Sequence, residues 1–317
     1  MTKILYYCGH EQFQPEELVK HAILAEEVGF DGILVSEHFH PWVADRGTSG
    51  FGFSTLGAIS VLTKKIEIIT GVVTPLFRYH PAVIAQAAAT IDRLSEGRFT
   101  LGIGSGESIN ESPLGIKFPI YKERSERMIE AIEIIKKLLN GEKLTYNGHY
   151  YKTKNAKLYS PPISNIPILM AASGKKSIAI ANKYTDGLIS SVKNIDDVID
   201  DMNRSKKIGK ITLATKWSIY AKNNIQAWRA LQPWRGLRVP SRDSATDPEQ
   251  LQNEADKMDK NEIINKFKIV SSSQEYIDVY LPMKKKLNPD YIGIQTTGEN
   301  QTEIIRMLGE KVISYLR

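Results

Sequence analysis

The chain is 317 residues long, enough to bury a full core as one large domain or two small ones. Apolar residues make up 42% and charged residues 25%, ordinary values for a soluble globular protein. The net charge of +6 invites a nucleic-acid reading, but basic residues alternate with acids, as in Lys122-Glu123-Arg124, so no nucleic-acid partner is expected.

Ile4-Leu5-Tyr6-Tyr7-Cys8 reads as a first strand. It follows Met1-Thr2-Lys3 directly, without the architecture of a signal peptide, and a cytoplasmic protein is expected. Cys8 is the single cysteine; it excludes an internal disulfide or a Cys-based metal cluster and reads as a buried structural thiol. Pro15-Glu16-Glu17 starts a helix with proline and acids in its first turn, which carries Leu18, Ala22, Ala25 and Val28 at helical spacing and stops at Gly29. Gly32 to Val35 is the second strand, Ser54 to Leu62 a helix, and Ile66 to Thr70 the third strand. Pro81 opens a helix from Ala82 to Leu94, Phe99 to Ile103 is the fourth strand, and Glu123 to Leu139 is a long amphipathic helix. Its last turns run into a break in the pattern.

Between 141 and 162 an aromatic-rich stretch around Asn147-Gly148 signals a hairpin, and Pro161-Pro162 marks the return. Alternation resumes with strands at Ile168 to Ala171, Gly187 to Ser190 and Ile211 to Tyr220, separated by helices at Lys175 to Tyr184 and Asp196 to Ser205. A second insertion spans 224–268. A helix from Gln274 to Leu287, a strand from Tyr291 to Ile294 and a helix from Glu303 to Leu316 close the chain. Eight strands, each followed by a helix, predict a single (β/α)8 TIM barrel over 1–317, with a doubly wound open sheet as the alternative. No apolar run approaches the ~20 residues of a membrane helix, and no membrane partner is expected.

In such a barrel the chemistry sits at the carboxyl ends of the strands. Those ends carry His10-Glu11-Gln12, then Ser36-Glu37-His38-Phe39-His40-Pro41-Trp42, then Gly71 to Pro81, then Gly104-Ser105-Gly106-Glu107-Ser108-Ile109-Asn110-Glu111. Later ends add Ser173-Gly174-Lys175-Lys176, Ser191 and Lys193. Acids, imidazoles, small residues and lysines thus gather on one face, which a purely structural barrel would not require. The glycines of Gly102-Ile103-Gly104-Ser105-Gly106 miss the dinucleotide spacing and read as a tight loop admitting a ligand to backbone. Ser173-Gly174 before a helix offers amide donors for a phosphate, or simply caps the helix. His38 and His40 flank one residue, but no third ligand lies at diagnostic spacing and no metal is expected.

On these motifs, and on Glu11-Gln12-Phe13 and Thr74-Pro75-Leu76-Phe77-Arg78-Tyr79-His80-Pro81-Ala82-Val83-Ile84-Ala85-Gln86, the chain resembles the luciferase-like superfamily nearly end to end. Within it, the resemblance is to the branch using the deazaflavin coenzyme F420, above all to the F420-dependent glucose-6-phosphate dehydrogenase family. The resemblance implies that His38 acts at a substrate hydroxyl, that Glu107 handles the proton at the ring, and that Trp42 and Glu11 line the substrate side. It implies F420 as cofactor, with the ring held by Glu37 and by a Gly71-Val72 peptide that is often cis, and with further contacts from Thr74, Ser105, Gly106 and Asn110. Ser173, Gly174, Lys176 and Ser177 would lie near the cofactor's phosphate and tail, and Ser191, Lys193 and Arg242 near a phosphorylated sugar. A homodimer is also implied. The sequence departs from the family where a histidine is replaced by Asp243 and an arginine by Phe267, so the phosphate cluster is only partly kept. A secondary alcohol dehydrogenase, an FMN-dependent monooxygenase and a non-catalytic F420-binding protein stand as alternatives.

Overall fold

Short runs of branched apolar residues, buried on both faces, form the parallel strands, as expected where helices cover a sheet. A computed structural model describes residues 1–317. The strands are β1 (Lys3–Cys8), β2 (Gly32–Val35), β3 (Glu67–Thr70), β4 (Phe99–Ile103), β5 (Ile168–Ala171), β6 (Gly187–Ser191), β7 (Ile211–Tyr220) and β8 (Tyr291–Thr297). Each pairs in parallel with the next, and β8 returns to β1 with Lys3 opposite Tyr291. The protein is a closed (β/α)8 barrel.

Two apolar layers hold the barrel together. Leu5, Leu34, Ile69, Leu169, Ile189 and Leu213 fill the interior and floor the site above them. A much larger cluster lies between the strands and the surrounding helices and takes in Cys8, Ile33, Ile68 and Ile132. Cys8 is fully buried, and burial pushes its thiol well above its ordinary value, so it is an inert core residue.

Both segments that break the alternation dock on the barrel. Leu144–Asn147 and Lys152–Ala156 pair antiparallel, joined by a loop longer than a two-residue turn. The Glu130 carboxylate of the long helix (Tyr121–Leu139) accepts from the backbone N–H groups of His149, Tyr150 and Tyr151, which pins this hairpin. After β7, the chain forms helices Asn224–Ala230, Pro248–Lys257 and Lys260–Ile264 with 3-10 turns Gln232–Arg238 and Pro240–Asp243 between them. An apolar cluster of its own, with Trp234, Leu251 and Ile263, packs this segment on Trp42 and Ile109 at the barrel mouth.

The element ends differ from the sequence reading by local chemistry. The helix expected from Ser54 begins at Gly52, and that expected from Glu123 begins at Tyr121. The helix expected over Asp196 to Ser205 runs Ile199–Lys207. The closing helix is two pieces, Gln301–Lys311 and Ile313–Leu316, with the Asn300 side chain accepting from Glu303 N–H at its start. The short helix Ser108–Glu111 and the strand Lys268–Val270, added beside β7, carry too few residues to show a period.

Candidate active site

A cavity of about 570 Å³ opens at the carboxyl ends of the strands, with contributions from the ends of β1 through β8. Its walls include Glu11, Glu37, His38, Trp42, Gly71, Val72, Thr74, Ser105, Gly106, Glu107, Asn110, Ser173, Ser177, Ser191 and Arg242, all expected from the sequence. Gly174 and Lys176 are exposed and lie outside it, on the rim, and Lys193 belongs to an adjoining cavity.

At the centre is His38. Its Nε2 lies 3.2 Å from Glu11 Oε1 and 3.5 Å from Glu107 Oε2. Its Nδ1 lies 3.2 Å from the His40 carbonyl and 3.2 Å from Asn110 Nδ2. The Trp42 ring stands edge-on to the imidazole at 5.1 Å between centroids. Asn110 organises this turn: its Oδ1 accepts from the N–H groups of Phe39 (2.9 Å) and His40 (3.3 Å), and its Nδ2 donates to Glu107 Oε2 at 3.3 Å. His40 contributes its backbone to His38, not its ring. No group of three or more His, Cys, Asp or Glu side chains is arranged to hold a metal ion.

Glu11 is buried and fixed from behind, because Ser36 Oγ donates to its Oε2 at 2.6 Å while His10 N–H donates to Ser36 Oγ at 2.8 Å. Burial, helped by the Glu11 charge, pushes the neighbouring Tyr7 phenol well above its ordinary value. Tyr7 therefore meets the cavity as a neutral hydroxyl.

Glu37 has a different setting. Arg78 donates to both its oxygens (3.0 and 2.6 Å) and the Tyr79 hydroxyl donates to Oε1 at 3.0 Å. Arg78 also reaches Glu111 Oε1 through Nε at 3.3 Å. Burial pushes the Glu111 carboxyl up despite the arginine beside it. The side chains of Arg78, Glu37 and Glu111 are 5%, 1% and 0% exposed, so this is a closed ion triad beneath one wall.

Another stretch of the cavity lining is backbone. The Gly71-Val72 peptide is cis. A Cβ on Gly71 would fall 2.3 Å from Leu34 Cγ, and one on Gly104 would fall 2.5 Å from Val72 Cγ2, so glycine keeps this wall close and flat. Gly106 has φ +79 and turns the chain toward Glu107. Beside it Arg124 donates to Ser105 Oγ (3.3 Å), packs over the Phe118 ring and leaves its Nε buried without a partner.

Past Trp217 and Arg238 the cavity adjoins a second one of about 390 Å³. Lys193, Lys216, Arg238, Lys266 and Lys268 line it together with Ser191, and no acid does. Arg238 Nε and Trp217 Nε1 are buried with no hydrogen-bond partner. Lys216 donates to the carbonyls of Val192 and Lys193, and burial with Lys268 nearby lowers its pKa. Arg242 lies on the main cavity's side, ion-paired with Glu107 and 5.0 Å over the Trp42 ring.

Sequence reasoning gave no role to Arg78, Glu111, Arg124, Trp217 or Arg238. Arg78 and Glu111 stand inside motifs whose signal comes from their neighbours. Arg124 sits within an alternating charge run that reads as a solvated face, although its place in the first turn after a strand-end loop aims it at the mouth. Trp217 and Arg238 carry no short-range signal, because their neighbours are distant in sequence.

The luciferase-like monooxygenase family model matches residues 2–282. An F420-dependent glucose-6-phosphate dehydrogenase from Microbacterium testaceum is 32% identical over 98% of this chain and 96% of its own length. An F420-dependent hydroxymycolic acid dehydrogenase from Mycobacterium tuberculosis is 43% identical over 60% of this chain and 52% of its own length. Among solved structures, an F420-dependent secondary alcohol dehydrogenase in complex with an F420-acetone adduct superposes with a TM-score of 0.90 at 26% identity, covering 100% of both chains. With its barrel, its strand-end site and this match along most of its length, the chain belongs to the luciferase-like monooxygenase family.

Proposed function

We propose that the protein is an F420-dependent dehydrogenase that oxidises a CH–OH group of a phosphorylated sugar, the C1 hydroxyl of a hexose 6-phosphate in the leading case. The relatives named above support the cofactor and the reaction class. The observation that carries the substrate class is the acid-free cationic cavity adjoining the one that holds His38, with two buried donors left unpaired.

The residues present fit the coenzyme. The flat wall at Gly71, Val72 and Gly104 suits a planar ring. Arg124, with its orphaned Nε, and the exposed first turn of the helix Lys175–Tyr184 suit a phosphate and acidic tail. When bound there, the deazaflavin would supply the acceptor for the hydride leaving the substrate carbon. The chain moves the protons. In the tautomer that donates Nδ1–H to the His40 carbonyl, the Nε2 of His38 is free to take the hydroxyl proton as the C–H bond breaks. The imidazolium so formed keeps Glu11 Oε1 within 3.2 Å, and this buried carboxylate stabilises it. Glu107 supplies the second proton, needed on the ring side. Trp42 closes one wall and excludes water from His38.

Titration of the protein with F420 and with FMN, followed by a panel of hexose phosphates and secondary alcohols, tests this reading. The expected result is tight F420 binding and bleaching of its visible absorbance on adding a hexose phosphate. Preference for FMN with NADH-driven oxygen uptake would overturn the cofactor claim. Bleaching by simple secondary alcohols alone would favour the second reading, for which the aromatic wall of Tyr7, Trp42, Trp217 and Trp234 speaks.

The protein is further read as a cytoplasmic homodimer. Val61, Leu62, Val83 and Leu94 stand exposed on the helices Gly52–Leu62 and Pro81–Leu94 and offer apolar surface to a second copy. No helix is long and apolar enough to cross a membrane. A light-scattering mass equal to one chain would remove the dimer.

A further inference from the structure

Glu107 presents two oxygens to two different tasks. Oε2 faces His38 and accepts from Asn110. Oε1 is held by the Arg242 guanidinium. Both carboxyl oxygens thus face nitrogen donors. Yet the reaction proposed above requires Glu107 to hold and release a proton. The ligand-free arrangement is therefore an unproductive one.

What holds Arg242 is weak on its other side. It stands on the 3-10 turn Pro240–Asp243; its pair with Glu107 is partly open, the side chains 33% and 31% exposed, and its second contact, Asp243, is 85% exposed. Ion pairs open to water contribute little, and a better acceptor displaces them. One turn earlier, Arg238 lines both cavities, with its Nε unpaired. An anion drawn in by Lys193, Arg238 and Lys268 therefore arrives beside the segment that carries Arg242.

We propose that Arg242 is a substrate-responsive latch: it occupies Glu107 in the ligand-free protein and leaves it for the phosphate of an incoming substrate. This rests on the proposed function for the role given to Glu107. Arg242 is thus a positioning residue, acting on the proton carrier and reporting that an anionic substrate is in place. Neutral alcohols, which cannot draw it away, meet a Glu107 that is still occupied.

If the phosphate and Glu107 compete for one guanidinium, removing one competitor helps the other. The test measures binding of inorganic phosphate and of a hexose phosphate by calorimetry to the protein without cofactor. Wild type, Glu107→Gln, Arg242→Ala and the double variant form a cycle. Expected is a roughly five- to tenfold tighter phosphate affinity in Glu107→Gln, a gain that disappears in the Arg242→Ala background. A gain that persists without Arg242 reflects only the loss of a nearby negative charge and overturns the latch, as does no gain at all. Arg242→Lys restores part of the coupling. In the loaded enzyme, inorganic phosphate added as a separate piece raises kcat on the neutral hexose several-fold in wild type and has no effect in Arg242→Ala; no activation in wild type also overturns the latch. Absence of turnover on every hexose phosphate with coupling intact removes instead the proposed activity.

Discussion

The two halves of the barrel mouth are built on opposite principles. At the ends of β1 to β4 the polar groups satisfy one another: Glu11 with Ser36 and His38, Asn110 with two backbone amides, Glu37 and Glu111 with Arg78. At the ends of β5 to β7 and in the segment after β7, Lys193, Lys216, Arg238 and Lys268 line a cavity with no acid in its lining, and Arg238 and Trp217 keep buried donors unpaired. In the first half Glu11, Glu37, His38 and Asn110 are held by protein partners without a ligand, and only Glu107 is tied to the other half, through Arg242. The second half keeps donors free, which under the proposed function an incoming anion would take up. On that reading, reactivity and selectivity are carried by different stretches of chain.

Replacing His38 by Ala is the strongest way to break this division, with kcat expected to fall about 10²- to 10⁴-fold as a proton acceptor is removed. F420 affinity, measured by titration, stays within a fewfold of wild type. Full turnover in this variant would remove the first half's claim to the chemistry. Next in size is Arg78→Leu, which leaves two buried carboxylates without their cation and costs about 3–5 kcal/mol of stability. Denaturant unfolding measures it, and a loss below about 1 kcal/mol, the range of an exposed pair, would show that the triad is not closed.

A third prediction concerns acid. Burial, opposed by Glu17, lowers the His21 pKa to about 4, and the ring packs edge-on to Phe13 at 4.7 Å. Between that value and the ordinary one near 6.5 the unfolded chain binds this proton more readily than the folded one. Stability from this group is therefore full above about pH 6.5 and declines toward pH 4, by roughly 3 kcal/mol. His21→Leu flattens the unfolding midpoint over that range; an unchanged slope would sink the assignment. The smallest effects belong to the second half. Lys193→Ala and Lys268→Ala each raise KM for a hexose phosphate by about tenfold with kcat nearly unchanged, and leave neutral alcohols untouched. A kcat effect of equal size would blur the two halves into one.

The same division governs what could be read from the sequence. The barrel was legible because its strands and helices carry clean periods, and the first half of the site because Glu11, Glu37-His38, Thr74 and Glu107 to Asn110 are packed into short motifs just past strands. Trp217 sits mid-strand and Arg238 in a 3-10 turn, and they meet only because β7 and the following segment fold together. Phe267 could be seen to replace an arginine, but not that Arg238 lies over its ring at 5.4 Å. Arg242 was expected at a substrate phosphate, and its attachment to Glu107 needed the three-dimensional arrangement.

Trp42 belongs to both halves: its ring touches His38 on one side and packs into the cluster of Trp234 and Leu251 on the other. Gly236 lies so near that a Cβ there would fall 2.0 Å from the Trp42 carbonyl oxygen. Transplanting the stretch after β7 from a relative, the natural route to a new substrate range, therefore succeeds only with glycine retained at that position. Any larger residue presses on the Trp42 backbone and so disturbs the indole that stands against His38.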